Sequence, residues 1–394
     1  MHQDGKTSQR RARADSPMTG GMVGSLVQAA HETPSTDSLQ FQLEVGTAPT
    51  APVRHLSPLR YPGAKSKLTP LIEKMIRNAI EGGRLRRPLT MFEPFAGGAS
   101  TTLRLLRDGV IDRGVIADAD PLVASFWIEA ATNPGALVGA MQDEFDTYVS
   151  KGGSRAVARW DYWRQWIPGD DDEAITRASL ALKCIFLNRT TFSGILHGSA
   201  GPIGGRAQKS DYPIGCRWNQ EELARRIEWV AHLYRTGRLA TPAEATWQES
   251  LEAAALEHAA RPGHVVAYLD PPYVAKSGRL YKTSFSQRTE EPDLWQSITP
   301  HQTLAEYLKT EAPFRWILSY DDHPDLLRNV LLYGRVKTMP SPATLGQGGK
   351  YLNIQRRRVE IQHSASTQQK RRDVAELLLT TLAESDCDGV GERR

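Results

Sequence analysis

Short apolar runs alternate with stretches of helical spacing along much of the chain. The runs that predict buried strands lie at 88–95, 114–120, 264–273 and 314–320. The stretch 100–109 has helical spacing and ends at Gly109, a residue typical of helix C-termini. Segments 335–340 and 353–361 are predicted to pair antiparallel. Strands that alternate with helices predict an α/β fold with a mostly parallel, doubly wound sheet.

The middle and the two ends of the chain depart from this alternation. Residues 126–255 are mostly helical in pattern, which predicts an inserted helical sub-domain between two parts of one α/β domain, 55–125 and 256–365. Residues 1–54 are rich in small polar residues and have no sustained period, so they predict a disordered N-terminal tail. Residues 366–394 are predicted to be a C-terminal tail that carries one short helix.

Composition excludes several classes of protein. The chain has 394 residues, of which 40% are hydrophobic and 24% charged, as in ordinary globular proteins. Three cysteines without a CxxC pair argue against a disulfide scaffold and a zinc-finger array. The ten histidines show no metal-binding spacing, so we expect no metal. Since the chain has neither an apolar stretch of membrane length nor a signal-peptide pattern, we expect a cytoplasmic protein that does not enter a membrane.

Positive charge is concentrated in one part of the helical stretch. Residues 183–238 contain nine Lys and Arg against four Asp and Glu, a balance of +5, whereas the whole chain carries +4. The rest of the chain is therefore close to neutral. Such a local excess favours an anionic partner at this segment.

A glycine turn and the acidic residue that follows it suggest a ligand site. FEPFAGGAS at 92–100 joins a strand to a helix through Gly97 and Gly98, which allow a ligand to approach the backbone and the helix N-terminus. Asp118 ends the next strand about 20 residues later, the spacing at which an acid accepts hydrogen bonds from a ribose. Together they favour a nucleoside-like ligand, although the glycines alone also fit a tight βα turn. Asp120 is predicted to cap the next helix.

The strongest local motif is Asp270, Pro271, Pro272 and Tyr273, directly after the apolar strand VVAYL. The prolines hold the chain extended, so the Asp side chain and a Pro carbonyl become fixed acceptors beside an aromatic ring. This set suits an exocyclic amine on a flat ring, because the acceptors take the amine protons and the tyrosine stacks on the ring. The nitrogen can then attack an electrophilic methyl group without a strong base. The alternative is a Pro-rich strand end with an ordinary turn Asp.

The segment LRYPGAK at 59–65 offers an aromatic face, a flexible turn and one cation. Lys65 is suited to meet a carboxylate, and Tyr61 to cover an apolar or sulfonium part of a ligand. As an isolated string, this segment is equally well explained as a loop.

These motifs, in this order, resemble those of the Dam-type DNA adenine-N6 methyltransferases. RYPGAK is similar to the family's N-terminal motif KWAGGK, FEPFAGGAS to its FxGxG motif and IADAD to its ADIN motif, while YLDPPY is the catalytic motif of amino-methyltransferases. FLNRTTFSGIL at 186–196 is similar to LNRxGFNGL, and WILSYDD at 316–322 lies where the family has a strand ending in LSN. The match covers roughly residues 56–362. Where members that read GATC carry an aromatic-Asn pair, this chain has HGSAGPIGG, so its recognition sequence is not predicted.

The resemblance implies a fold and a cofactor. The fold would be a Rossmann-like methyltransferase sheet, doubly wound with an antiparallel last strand, and the helical insertion would bind DNA. The cofactor would be S-adenosylmethionine. The implied cofactor contacts are Tyr61, Lys65, Glu93, Phe95, Gly97, Asp118 and Asp270. The implied catalytic residues are Asp270, Pro271, Pro272 and Tyr273.

The resemblance also implies a substrate. The enzyme would methylate N6 of an adenine flipped out of duplex DNA, in a restriction-modification system with a cognate endonuclease or as an orphan or phage enzyme, and we expect a monomer. Candidate DNA contacts are Arg189, Arg206 and Arg217, each of which could instead be a solvated or structural arginine. Two alternatives remain: a methyltransferase of the same chemistry that acts on RNA or another amine, and an inactive cofactor-sensing DNA-binding protein.

Overall fold

The computed structural model describes residues 56–60, 67–169, 172–272, 294–322, 335–337, 351–362 and 373–393. Three predicted site residues, Tyr61, Lys65 and Tyr273, lie outside these ranges, as does the predicted tail 1–54. Within them, no helix is both long and apolar enough to span a membrane.

The described part of the chain forms nine α-helices and ten strands. The helices are α1 (Thr69–Glu81), α2 (Ser100–Arg107), α3 (Pro121–Thr132), α4 (Pro134–Glu144), α5 (Gly153–Gln165), α6 (Glu173–Thr190), α7 (Gln220–Arg235), α8 (Trp247–Ala260) and α9 (Leu294–Thr310). The strands are β1 (Thr90–Glu93), β2 (Arg113–Asp118), β3 (Ala243–Glu244), β4 (Val265–Leu269), β5 (Arg315–Asp321), β6 (Arg335–Lys337), β7 (Tyr351–Asn353), β8 (Gln355–Gln362), β9 (Asp373–Thr380) and β10 (Glu392–Arg393). A π-helical turn (Phe145–Val149) follows α4, and 3₁₀ turns lie at Phe192–Gly194 and Glu384–Cys387.

Eight strands form one mixed sheet in the order β10-β8-β9-β5-β4-β1-β2-β3. From β5 to β3 all neighbours are parallel, whereas β9 runs antiparallel to both β5 and β8. The predicted α/β fold with a parallel sheet and an antiparallel strand near the end of the chain is confirmed. Segment 335–340 was predicted to pair with 353–361, but β6 pairs antiparallel with β7, so only the contact of Arg335 with Asn353 agrees with the prediction. Strand β8 joins the main sheet instead.

The end of the chain differs from its prediction. Residues 373–380 form strand β9 rather than a helix, and Leu377, Leu378 and Leu379 are buried. The predicted short helix in a peripheral tail is therefore wrong. A short apolar run fits a buried helix and a buried strand equally well. Here the segment forms backbone hydrogen bonds to β5 on one side and to β8 on the other, whose edges would otherwise be left without partners.

The sheet separates two hydrophobic cores, because successive side chains of a strand point to opposite faces. Helices α1, α2, α3, α6 and α7 pack on one face, against residues such as Ile116 and Val266. Helices α8 and α9 cover the other face, against Val115 and Val265. The predicted helical segment 126–255 thus shares one core with the sheet. It also contains β3, which belongs to the sheet, and most of α8, which packs on the second face. The division into a catalytic domain and an inserted DNA-binding sub-domain stays a prediction.

Candidate active site

The carboxyl ends of β1, β2 and β4 lie side by side at one edge of the sheet. The strand order reverses at β1, with β2 and β3 on one side and β4 and β5 on the other, and ligands of open α/β sheets bind in the crevice at such a point. Glu93 is the last residue of β1, Asp118 is the last of β2, and Asp270 follows β4. The structure therefore brings three of the predicted site residues to the same edge.

Glu93 is a buried carboxyl with a single described hydrogen-bonding residue. Thr102 on α2 donates its backbone N–H to Glu93 Oε2 at 3.2 Å, and its hydroxyl donates to the same oxygen. Burial raises the pKa of Glu93 to about 8, and the charges of Asp270 and Asp118 add to the increase, while the bonds from Thr102 oppose it. Folding therefore favours the protonated form of Glu93.

Asp118 shapes the glycine turn as well as facing the crevice. Its Oδ2 accepts the Gly97 N–H at 2.8 Å, and its Oδ1 accepts the Asp120 N–H at 2.9 Å. Burial raises the pKa of Asp118 to about 7, and the nearby Asp120 charge contributes, whereas the two backbone bonds lower it. Because a carboxylate oxygen can accept two bonds, Asp118 can still accept a hydroxyl of a ligand.

The glycine turn is held in a left-handed conformation. Gly97 has a φ of 45° and Ala99 one of 44°, and the Trp127 indole N–H donates to the Gly97 carbonyl at 2.9 Å. Ala99, the N-cap residue of α2, has no side chain that can cap the helix, so apart from the Thr102 N–H that Glu93 accepts, the first N–H groups of this helix face the turn. Phe95, at the start of the turn, is partly buried against the core of the second face.

Asp270 is oriented by a residue that sequence reasoning missed. The hydroxyl of buried Ser319, on β5, donates to Asp270 Oδ1 at 3.0 Å and lies 3.1 Å from the Tyr268 hydroxyl. Pro271 is buried and Pro272 partly buried beside it. The pairing of β4 with β5 places Ser319, in the segment WILSYDD, beside Asp270.

Asp120 is the predicted helix cap, and it has a second contact. Its Oδ1 accepts the Leu122 N–H at 3.0 Å, which confirms the cap of α3. Its Oδ2 lies 2.5 Å from His197 Nε2. His197 belongs to the loop after α6, so that loop reaches the carboxyl edge of the sheet. The sequence predicts no role for His197, because its contact with Asp120 joins residues 77 positions apart.

A family model for D12 class N6 adenine-specific DNA methyltransferases matches residues 61–309, more than half of the chain. The chain belongs to this family. It is therefore an adenine-specific DNA methyltransferase, and its substrate is DNA. No curated protein matches the chain.

Within this adenine-specific DNA methyltransferase, the three candidate DNA contacts differ in exposure. Arg189 is 5% exposed; its guanidinium donates to the Pro58 carbonyl and, at 3.5 Å, to the Arg217 carbonyl. Burial, together with the charges of neighbouring Arg226 and Arg60, lowers the pKa of Arg189 to about 9. A buried guanidinium has no surface to offer a phosphate, so we correct the prediction for Arg189 to a structural role.

The other two candidates, Arg206 and Arg217, lie at the surface of the methyltransferase. Arg206 forms two hydrogen bonds to Asp161, of 2.9 and 2.8 Å, and its guanidinium lies 5.7 Å from the centre of the Trp160 ring. Arg217 is exposed. Both remain candidates for phosphate contacts. The described residues contain no cluster of His, Cys, Asp and Glu arranged as a metal site.

Proposed function

We propose that this methyltransferase transfers the methyl group of S-adenosylmethionine to N6 of an adenine flipped out of duplex DNA. The observation that carries the proposal is the meeting of Glu93, Asp118 and Asp270 at the reversal point of the sheet. One of these carboxylates is joined to the glycine turn and another to the proline motif. The cofactor pocket and the amine site would then share one crevice.

The residues present fit a cationic nucleoside cofactor. S-adenosylmethionine carries a sulfonium and an ammonium, and both would favour the ionised forms of Glu93 and Asp118, whose pKa values are raised by burial. Among the described residues, no Lys or Arg pairs with either carboxylate. Asp118 would accept the ribose hydroxyls, and the Gly97 turn would allow close approach of the ligand. Tyr61 and Lys65 are proposed as further contacts.

Asp270 and Pro271 would hold the adenine amine. The Ser319 hydroxyl occupies one lone pair of Asp270 Oδ1 and fixes the plane of the carboxylate, so the Asp270 carboxylate and the Pro271 carbonyl can accept the two amine protons. These bonds direct the nitrogen lone pair out of the ring system and towards the electrophilic methyl group that the cofactor supplies when bound. The catalytic contribution would come from orientation and electrostatics. Tyr273 is proposed to stack on the flipped base.

The loop region between α6 and α7 supplies the features that a DNA face needs. Phe192 is 66% exposed and Tyr212 is 63% exposed, and both lie in the basic segment 183–238, together with Arg206 and Arg217. Extruding a base costs a few kcal/mol, and exposed apolar side chains that replace its stacking can offset part of that cost. The contact of His197 with Asp120 connects this loop to the carboxyl edge where the base would be methylated.

A methyl-transfer assay tests the proposal. Tritiated S-adenosylmethionine is incubated with adenine-containing duplex DNA and, separately, with RNA, using the wild-type protein, Asp270→Ala and the control Asp108→Ala. Asp108 is a matched aspartate at the far end of α2. We expect label in DNA with the wild type and the control, and a loss of about 100-fold or more in Asp270→Ala, the scale on which a lost transition-state contact acts.

Each outcome of the assay has one meaning. A folded wild-type protein that leaves DNA unlabelled would contradict the proposal, and label in RNA alone would favour the RNA alternative. Label that persists in Asp270→Ala would show that this carboxylate does not hold the amine.

A further inference from the structure

A short leading segment, residues 56–60, precedes the predicted cofactor contacts Tyr61 and Lys65. It has no helix or strand of its own, yet Leu56, Ser57 and Leu59 are buried. Buried backbone groups outside regular structure must find partners elsewhere. The Leu59 N–H donates to Ser57 Oγ within the segment. The carbonyls of Ser57 and Pro58 and both backbone groups of Arg60 instead bind side chains of α6 and α7, which lie more than 120 residues further along the chain.

Asn188, near the end of α6, binds both backbone groups of Arg60. Its Oδ1 accepts the Arg60 N–H at 2.7 Å, and its Nδ2 donates to the Arg60 carbonyl at 2.6 Å and to the Gly194 carbonyl at 3.2 Å. The Asn188 side chain is fully buried, so water does not compete for these bonds. One buried amide thereby fixes the backbone of Arg60, the last described residue before Tyr61 in the sequence.

Two arginines hold the preceding residues in the same way. The Arg189 guanidinium donates to the Pro58 carbonyl, and Arg226 Nη1 donates to the Ser57 carbonyl at 3.1 Å. Arg226 is itself oriented by Glu222, with N···O distances of 2.8 and 2.9 Å. Bonds from charged donors are stronger than neutral ones. The position of the leading segment is thus decided by the helices of the basic region.

Gly194 brings the turn after α6 against the same backbone. Its φ is 75°, and a Cβ added there would lie 2.5 Å from the Arg60 carbonyl oxygen and 3.3 Å from Asn188 Nδ2. No side chain fits in that space, since real Cβ atoms do not approach a backbone oxygen so closely. Phe192, two residues earlier in the turn, is exposed. One turn therefore has a face against Arg60 and a face towards the proposed DNA side.

We propose that Asn188 and Gly194 are positioning residues for the cofactor site: they hold the backbone of Arg60, the residue directly before the proposed cofactor contact Tyr61. The helical region would then be needed for cofactor binding in the absence of DNA, in addition to any part in DNA recognition. This inference rests on the proposed function, because it takes Tyr61 and Lys65 as contacts of S-adenosylmethionine.

The test compares two variants with two matched controls in the full chain. Gly194→Ala is paired with Gly237→Ala, since Gly237 has a φ of 70° and an added Cβ there meets no atom within 4 Å. Asn188→Ala is paired with Thr191→Val, which removes the buried bond from Trp160 Nε1 to Thr191 Oγ1 (2.9 Å) without touching the leading segment. The measurements are the Kd of S-adenosylmethionine by calorimetry without DNA, and the KM of each substrate together with kcat.

We expect Gly194→Ala and Asn188→Ala to raise the Kd and KM of the cofactor about tenfold or more. The KM for DNA and kcat of these variants should change less than threefold. The two controls should stay within threefold of the wild type in every one of these constants. A wild type that binds no cofactor would contradict the proposed function. If the wild type binds and the variants match their controls, the positioning role is wrong. The positioning role is equally wrong if the variants lose kcat and both KM values together, as in a general loss of structure.

Discussion

Burial sets the charge of individual residues at the sheet edge. Glu93 and Asp118 ordinarily titrate near 4, but inside the fold their pKa values rise to about 8 and about 7. Desolvation is the larger cause, and the repulsion among neighbouring carboxylates adds to it. A group whose pKa is raised by folding binds its proton more tightly in the native state, so its contribution favours the native state at low pH and is lost as the pH rises through the folded pKa.

Glu93→Gln tests whether ionisation of buried Glu93 lowers the free energy of unfolding as the pH rises. The amide oxygen can still accept both bonds from Thr102, but the side chain no longer ionises. We expect the free energy of unfolding of the cofactor-free wild type to fall between about pH 4.5 and pH 8 partly because of Glu93, and to fall less in the variant. Urea titrations across this range measure the difference.

Asp108→Asn is the control for Glu93→Gln. The Arg107 guanidinium holds the pKa of Asp108 below its usual range, so its removal should change the pH dependence only in more acidic solution. If the free energy of unfolding depends on pH in the same way in the wild type and in Glu93→Gln between about pH 4.5 and pH 8, ionisation of Glu93 does not lower the stability.

Among the elements, helix α3 joins the sheet edge to the helical region. It begins with Asp120 as its cap, and that carboxylate also contacts His197 from the loop after α6. The turn before it depends on Asp118, which binds the N–H groups of Gly97 and Asp120. The β1-α2 turn, the start of α3 and the loop after α6 are therefore one hydrogen-bonded unit.

Asp120→Ala should cost more stability than an ordinary cap. Loss of a cap costs about 1 kcal/mol, and the lost His197 contact adds to this. Asp172→Ala is the matched control, because Asp172 caps α6 through the Ala174 N–H at 2.8 Å and is exposed. Urea unfolding of both variants and of the pair Asp120→Ala with His197→Ala measures the coupling. Equal costs for the two caps, or additive effects in the pair, would mean that the His197 contact contributes nothing.

For the whole molecule, the last described residues complete the sheet. Strand β9 lies between β5 and β8, and its side chains enter both cores, with Leu378 in one and Leu377 and Leu379 in the other. Arg84, beyond α1, is paired with Asp386, which ties the chain end to the first helix region. The fold of the methyltransferase thus depends on a segment that lies beyond the family match.

Deletion of residues 366–394 is expected to abolish cooperative folding, because it exposes the edges of β5 and β8 and opens both cores. Deletion of residues 1–54, the predicted tail, is expected to leave the melting temperature and methyl transfer close to those of the full chain. Thermal unfolding followed by circular dichroism distinguishes the two. A cooperative transition in the C-terminal deletion would show that β9 is dispensable, and loss of stability in the N-terminal deletion would contradict the predicted tail.

Local sequence patterns predicted much of the site but only part of its support. The glycine turn, the acidic residue that ends β2 and the cap of α3 depend on hydrogen bonds between residues at most 30 positions apart, and their places followed from short motifs. Ser319, His197 and Asn188 contact residues 49 to 128 positions away, so no motif could assign them a role. Arg189 was misjudged for the same reason, since a buried and an exposed arginine look alike in a sequence.

The amino-acid sequence by itself determined the chemistry of this protein: the order of its motifs, the alternation that produces a parallel sheet, and the acceptors that follow β4. These features are local, and local steric and hydrogen-bonding preferences suffice to specify them. The tertiary structure alone decided which groups are buried, how far the pKa values of the carboxylates rise, where β9 joins the sheet, and which helices hold the chain before Tyr61. Those properties depend on desolvation and on contacts between distant residues, which exist only once the chain has packed.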